Sequence, residues 1–396
     1  MYLFLPLGEH PPANAFLRRE QLDEPEARWD LNTFACLNCG LVQVPNRIPP
    51  DFFRHYLYVP SASPQLHDHF ASLAGTLRDR FLAGDGGLLV DIGSNDGLFL
   101  GAAQKLGLRC LGIEPAANLA AIAEAKGLTI LNEYFNPATA RRAREAHGPA
   151  RVIVTTNTFN HIDDLHVFLA GVSVLLTPEG TFVIEVPEAI DYVEHNEFDT
   201  VYHEHLSVFS VHSIAALLDA FDMCIVDLQR LELHGGSMRF YCQRRDRGGG
   251  PAPIVEEWLG RERRARLFDQ ATYDALAARV ARLRDDLLSL IRRLRAEGSR
   301  VAGYGAPAKG NTLLNYCRLG PDSLDYLADR SSLKHGLYSP GMRIPIVPAE
   351  RVFEDRPDYL LILAWNFADE IIRQQEAFRR AGGKFILPIP QPRIVE

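Results

Sequence analysis

The segment from Leu88 to Gly107 constrains this chain more than any other. The apolar run LLVDIG opens into SNDG and then into a helical pattern, LFLGAAQKLG. A buried strand that passes through a glycine turn into a helix is the start of a βαβ unit, whose parallel strands need helices on their faces. The alternation continues. LRCLGIEP reads as a strand, a helix runs through Ala125, RVIVTTN is a third strand, a helix lies around Leu165 to Leu176, and GTFVIEVP is a further strand. The pattern predicts an α/β fold with a doubly wound, mostly parallel sheet. The Gly-rich break Arg247-Gly248-Gly249-Gly250-Pro251 ends this unit, and a helical stretch follows from about Ile254 to Glu297. A second α/β pattern begins at SRVAGYG. It passes through APAKGNTLLNYCRLG, LDYLADR and PDYLLILAW, then a helix around Phe367 to Ala381, and ends with KFILPIP, so a second, smaller doubly wound domain is expected.

With 396 residues the chain is too long for one ordinary core. The expected division is a small proline-rich module over 1–65, a first α/β domain over 66–247, a helical connector over 248–298 and the second α/β domain over 299–396. Hydrophobic residues make up 47% and charged residues 23%, the balance of a globular protein, and a net charge of −8 argues against nucleic acid as a partner. The Arg-rich stretch from Arg261 to Arg300 is interleaved with Glu262, Asp269, Asp274, Asp285, Asp286 and Glu297, so it reads as solvated helix faces. No apolar run is long enough to cross a bilayer, and the start MYLFLPLGEHPPANAF has no basic leader region; a cytoplasmic protein without a membrane partner is expected. Six cysteines with one close pair do not form a disulfide framework. A monomer and a small homo-oligomer both fit.

The glycine turn carries chemistry as well as shape. Val90-Asp91-Ile92-Gly93-Ser94-Asn95-Asp96-Gly97 places backbone N–H groups at the carboxyl edge of a parallel sheet, where ligands bind. Glu114 follows Gly93 by 21 residues, at the end of the next strand, where a carboxylate can accept from both ribose hydroxyls. The third glycine of the dinucleotide fingerprint is missing, and the form of the loop favours S-adenosylmethionine over NAD. His161, in TTNTFNH, falls at the same sheet edge; a structural histidine and a ligand-facing one are equally compatible with that position.

Tyr202-His203-Glu204-His205 concentrates a phenol, two imidazoles and a carboxylate in four residues, in a chain with 13 histidines. Imidazole titrates near neutrality and a neighbouring carboxylate can raise its basicity, so the run suits a general base; two histidines and a glutamate also suit zinc, and a polar, solvated turn is the plain alternative. His234-Gly235-Gly236-Ser237-Met238-Arg239 offers a hydroxyl and a guanidinium for a phosphate or sugar, or simply a Gly-Gly hairpin turn. Gly303-Tyr304-Gly305-Ala306-Pro307-Ala308-Lys309-Gly310-Asn311-Thr312 sits between a strand and a helix and reads as an anion cradle without Walker spacing. Only five lysines occur in the chain, which makes Lys309 in a glycine loop notable. Cys36 and Cys39 have zinc-knuckle spacing, but structural zinc needs four ligands; two buried thiols are an equal reading.

Taken together and in order, LGEHPPANAF, CLNCGLVQV, VDIGSNDG, YHEHLS, HGGSMR, GYGAPAKGNTLLN, SPGMRIPI and PDYLLILAWNFADEII resemble the bacterial nucleotide-sugar C-methyltransferases, which methylate C-3 of dTDP-linked 4-keto deoxysugars. The resemblance spans nearly the whole chain. It implies a Rossmann-like class I methyltransferase domain that binds S-adenosylmethionine, a second α/β domain that binds a nucleotide-sugar, and a zinc module at the N-terminus. It places the donor against Asp91, Gly93, Asn95, Asp96 and Glu114, with Asn157 flanking. It makes His205 the base, with Tyr202, Glu204, His161 and Tyr56 around it; Tyr58 is near enough to Tyr56 to compete for that match. It assigns Tyr304, Lys309 and Asn311 to the nucleotide-sugar, and His234, Ser237 and Arg239 stand beside them as candidates by their own chemistry. The family's zinc module carries two CxxC pairs, whereas this sequence has only Cys36 and Cys39 and starts at MYLFLPLG, so a shortened start and a lost zinc are both open. Val208 stands where the family often has an aromatic residue, and Asn160 where it usually has a small one.

The expected chemistry starts from the acidity of a carbon beside a ketone. His205 would remove the C-3 proton, Glu204 would orient His205 or raise its basicity, and Tyr202 and Tyr56 would donate to the enolate oxygen. A helical segment would put Tyr202 and His205 on one face, and an extended one His203 and His205. Two other functions fit the motifs: an O- or N-methyltransferase of a nucleotide-sugar, and a non-catalytic protein that keeps the donor fold as a scaffold.

Overall fold

The computed structural model describes every residue except 50, 51, 53, 55, 57, 85, 234, 248 and 249, and only the backbone of 62 and 247. The strand of the glycine turn, Leu88–Ile92, is buried on both faces and lies inside a seven-stranded sheet, as its unbroken apolar run requires. Across that sheet the strands run Met223–Leu231, Ser237–Arg244, Leu176–Pro187, Ala150–Thr156, Leu88–Ile92, Cys110–Ile113, Ile130–Leu131. The last five are mutually parallel, so their carboxyl ends share one edge. Ser237–Arg244 inserts antiparallel between Leu176–Pro187 and Met223–Leu231.

Helices cover this sheet with apolar stripes at helical spacing. Pro64–Leu77 buries Leu66, Phe70, Leu73, Ala74 and Leu77, each large side chain contributing about 1.5–3 kcal/mol. Gly93 has a left-handed backbone, and a Cβ there would lie 2.2 Å from Thr158 Oγ1; the glycine lets the first loop close against the third strand's loop.

The second sheet runs Ile346–Pro348, Leu327–Asp329, Val301–Tyr304, Tyr359–Ile362, Lys384–Leu387, Arg393–Val395, parallel except for its last strand. Between the sheets the sequence predicts one helical stretch. The chain forms two helices, Pro253–Arg264 and Gln270–Ala296, separated where Arg266 takes a left-handed conformation. The longer helix buries Tyr273, Leu276, Val280, Leu283, Leu287, Ile291 and Leu294 along one stripe, and it touches both the N-terminal strand Tyr2–Leu5 and the second sheet.

The N-terminal segment builds a four-stranded antiparallel sheet from Tyr2–Leu5, Thr33–Ala35, Val42–Gln43 and, from far along the chain, Ser207–Val208. Among the described residues no helix is long and apolar enough to cross a membrane.

Candidate active site

A cavity of about 670 Å³ opens where the carboxyl edge of the seven-stranded sheet meets the N-terminal segment and the second α/β domain. Its donor side is built from the glycine turn. Glu114 Oε2 accepts from the Asn95 N–H and Oε1 from the Ala116 N–H, both at 2.8 Å, so this carboxylate ties the turn to the next strand end. Each oxygen keeps a lone pair for a ribose hydroxyl. Asp91 Oδ1, Ser94 Oγ and Asp96 Oδ1 are buried with no hydrogen-bond partner among the described residues, and all three residues line the cavity. Burial, with Glu114 adding to it, pushes Asp91 up to about 8. Orphaned acceptors and a strand-end carboxylate at a helix entrance fit S-adenosylmethionine. Lys126 holds the other oxygen of Asp96 at 2.9 Å, and Asn157, with a left-handed backbone, closes the floor.

The Tyr202 to His205 run is neither helical nor extended. It is a tight turn closed by a bridge between Tyr202 and His205, whose rings stack at 4.0 Å. His161 also lies against His205, centroid to centroid 4.8 Å, and burial lowers His161 to about 4, which keeps it neutral. His205 Nδ1–H donates to the Thr200 carbonyl at 2.9 Å, which makes Nε2 the basic nitrogen. Tyr202, His205 and His161 all line the cavity.

Glu204 corrects the expectation set for it. Its oxygens accept from Asn14 Nδ2, at 2.8 Å each, and from the Tyr56 hydroxyl at 2.6 Å, while His205 Nδ1–H is taken by the Thr200 carbonyl. In a tight turn, adjacent side chains leave in different directions, and the backbone carbonyl of Thr200 takes the orienting role. Burial lifts Glu204 to about 7 against the pull of Tyr56, Asn14 and Lys334. Its folded pKa lies above its ordinary 4.5, so the folded state binds the extra proton and the stability this residue supports is lost as pH rises from about 4.5 through 7. Glu204→Gln is expected to remove that part of the pH dependence, read by thermal melts across the window; an unchanged slope would contradict the burial argument. His203 Nε2–H donates to the Trp29 carbonyl at 3.0 Å and serves to attach the turn to the N-terminal segment.

Several expected acceptor residues lie elsewhere. Ser237 and Arg239 belong to the inserted strand: Ser237 Oγ–H donates to the Leu233 carbonyl, and Arg239 pairs with buried Glu185 at 2.9 Å. The Gly-Gly turn before them is the hairpin that a bare turn reading requires, and a Cβ on Gly236 would meet Asp191 Oδ2 at 2.0 Å. His234 falls outside the described residues. Tyr304 is buried in the second domain's core, its hydroxyl accepting from Gln375 at 2.9 Å, because the last strand residue points into the helix layer. Asn311 Nδ2–H donates to the Ala13 carbonyl at 2.7 Å, joining the domain to the N-terminal segment. Tyr304→Phe is expected to lower unfolding free energy by about 0.5–1.5 kcal/mol in urea titrations and to leave methyl transfer unchanged.

Lys309 does reach the cavity, as do Tyr56 and Tyr58. Sequence reasoning missed Asn14, Asp329 and Lys334, which also line it. Lys334 Nζ–H donates to the Ala306 carbonyl at 2.8 Å and sits 3.8 Å from Asp329. Its rarity was the available signal, since it is one of five lysines. Cys36 and Cys39 cap the turn between strands Thr33–Ala35 and Val42–Gln43. Two thiols do not make a tetrahedral site, and among the described residues no group of three His, Cys, Asp or Glu is placed to hold a metal.

Residues 66–228 match the profile of a methyltransferase domain, 232–390 that of a C-methyltransferase C-terminal domain, and 1–53 that described as "Putative zinc binding domain". C-methyltransferase NovU of Streptomyces niveus is 37% identical over 389 residues, 98% of this chain and 93% of that protein. The chain belongs to this C-methyltransferase family. Its first domain is the class I methyltransferase fold that binds S-adenosylmethionine, and the protein is a methyltransferase. Among solved structures, the PH0226 protein of Pyrococcus horikoshii OT3 overlaps 50% of this C-methyltransferase and all of its own chain, at 10% identity and a TM-score of 0.38. Magnesium protoporphyrin IX methyltransferase of Synechocystis PCC 6803 overlaps 46% and 78% at 12% identity and a TM-score of 0.34.

Proposed function

We propose that this C-methyltransferase methylates C-3 of a nucleotide-linked 4-keto deoxysugar, with dTDP as the nucleotide, through an enolate formed by His205. The observation that carries the reading is the placement of the His205 ring on the cavity wall, stacked on Tyr202 and in contact with His161, with Nδ1 committed to Thr200. Nε2 then takes the C-3 proton, and the electron pair left on carbon is shared with the ketone oxygen. Bound S-adenosylmethionine supplies the electrophilic methyl. Tyr202 donates to the enolate oxygen. Tyr56, already bonded to Glu204, is held beside it, and protonation of Glu204 releases the phenol from an ionic partner. Lys309, over the Trp365 ring at 4.9 Å, gives the far side of the cavity a cation for the nucleotide's phosphates.

Incubation with S-adenosylmethionine and a panel of dTDP-, GDP- and CDP-linked 4-keto sugars tests the reading. A mass gain of one methyl on the dTDP sugar, with exchange of its C-3 hydrogen in deuterated water, is expected. A methyl group found on oxygen or nitrogen, with the C-3 hydrogen retained in the product, would remove the enolate step, and no methylated member of the panel would remove the substrate class.

A further inference from the structure

Two walls of the cavity come from the two α/β domains, and a side-chain bond between Asp199 and Trp365 joins them. Asp199 lies in the short helix Phe198–Thr200, one residue before the carbonyl that fixes the His205 tautomer. It is fully buried, and its Oδ2 accepts from Trp365 Nε1–H at 2.8 Å. Trp365 belongs to the second domain and opens the helix Trp365–Phe367, whose residues Asn366 and Phe367 line the cavity together with Ala364. The Trp365 ring in turn carries Lys309 Nζ at 4.9 Å on its face. The neighbouring ring of Phe198 packs on Tyr316, from the helix that begins at Ala308, with centroids 5.1 Å apart. A buried carboxylate whose other oxygen, Oδ1, has no hydrogen-bond partner among the described residues is costly to keep, and the fold keeps it where these two walls meet.

We infer that Asp199 and Trp365 are positioning residues that form an interdomain latch, setting the Lys309 wall against the turn that carries His205, so that disorder on one wall is felt on the other. Burial raises Asp199 to about 7 while Lys309 and the Trp365 N–H oppose the rise, in keeping with a carboxylate kept for its bond rather than for its charge. The catalytic consequence rests on His205 being the base; the mechanical one does not.

The test uses the full chain without acceptor. Hydrogen–deuterium exchange is expected to quicken in Trp365→Phe, which keeps the ring and loses the donor, both at 364–367 and across the domain boundary at 200–206. Asp199→Ala is expected to do the same, and the double variant to exchange no faster than either alone. Asp199→Asn, whose amide oxygen still accepts from the indole, is expected to retain protection at both places. On a methylated acceptor, Trp365→Phe should raise the acceptor KM about tenfold and leave the donor KM unchanged, the scale of one buried hydrogen bond. Exchange that quickens only at 364–367, or Asp199→Asn behaving like the alanine variant, would overturn the latch. Because the exchange arm involves no sugar, failure of every 4-keto substrate would count against the proposed acceptor and not against the latch. If Asp199→Ala does not fold, Trp365→Phe, altered at a half-exposed position, decides alone.

Discussion

His205→Asn is expected to bind S-adenosylhomocysteine as the native chain does and to transfer methyl groups roughly 10²–10⁴ times more slowly, the range a positioned general base contributes. Asparagine suits the test because its amide can still donate to the Thr200 carbonyl, which accepts the native Nδ1–H at 2.9 Å, so the turn keeps its closing bond. The stacking on Tyr202 and His161 is lost with the imidazole, but Tyr202 is held by its own burial and His161 by the short helix Phe159–His161. What disappears is the imidazole Nε2 that faces away from the Thr200 bond and serves as the proposed base. Exchange of the acceptor's C-3 hydrogen should vanish in parallel with methyl transfer, since both begin with the same proton removal. His161 cannot take over in neutral solution, because burial holds it at about 4 and makes it too weak a base. A His205→Asn protein that kept near-native turnover would end the assignment.

Glu114→Ala should weaken donor binding by about 10²-fold or more, measured by calorimetry with S-adenosylhomocysteine. Two effects add. The carboxylate's two 2.8 Å bonds hold the Asn95 and Ala116 N–H groups, and removing it leaves both without a partner at about 1–3 kcal/mol each. The ribose hydroxyls lose their acceptor at the same time. Glu114→Gln, which keeps one oxygen acceptor, should fall between the alanine variant and the native chain. Alanine binding within a few-fold of native would mean that the glycine turn is held by other contacts and that the ribose lies elsewhere.

The donor half was legible in the sequence because its chemistry is local. Asp91, Gly93, Asn95 and Asp96 sit in one turn, and Glu114 is fixed to the same edge by the parallel register of adjacent strands. The acceptor half was not, for a physical reason. Whether a side chain at a strand end or helix start points to the cavity or into the core depends on the layer packed against it, and local sequence does not encode that. Lys309 points out, while Tyr304 and Asn311, a few residues away, point in. Ser237 and Arg239 were misplaced because a strand returning antiparallel through the sheet carries the same residues as a binding loop would. The bond from Asn14 to Glu204 spans 190 residues, and no spacing rule reaches that far. Within YHEH the sequence allows a polar, solvated turn as well as a helix or strand; the chain does turn there, but the turn is buried and is stabilised by Thr200 behind it and by Trp29 and Asn14 opposite.

The strand Ser207–Val208 has a consequence for exchanging parts between relatives. It begins two residues after His205, and it completes a sheet whose other strands all come from the first 43 residues. A chimera that takes its N-terminal segment from one parent and everything else from another would seat a foreign edge against this strand, and would shift His205 with it. Swaps that preserve turnover should therefore carry Phe198 to Val208 together with the N-terminal segment, as one inheritable block interrupted in the sequence but continuous in space.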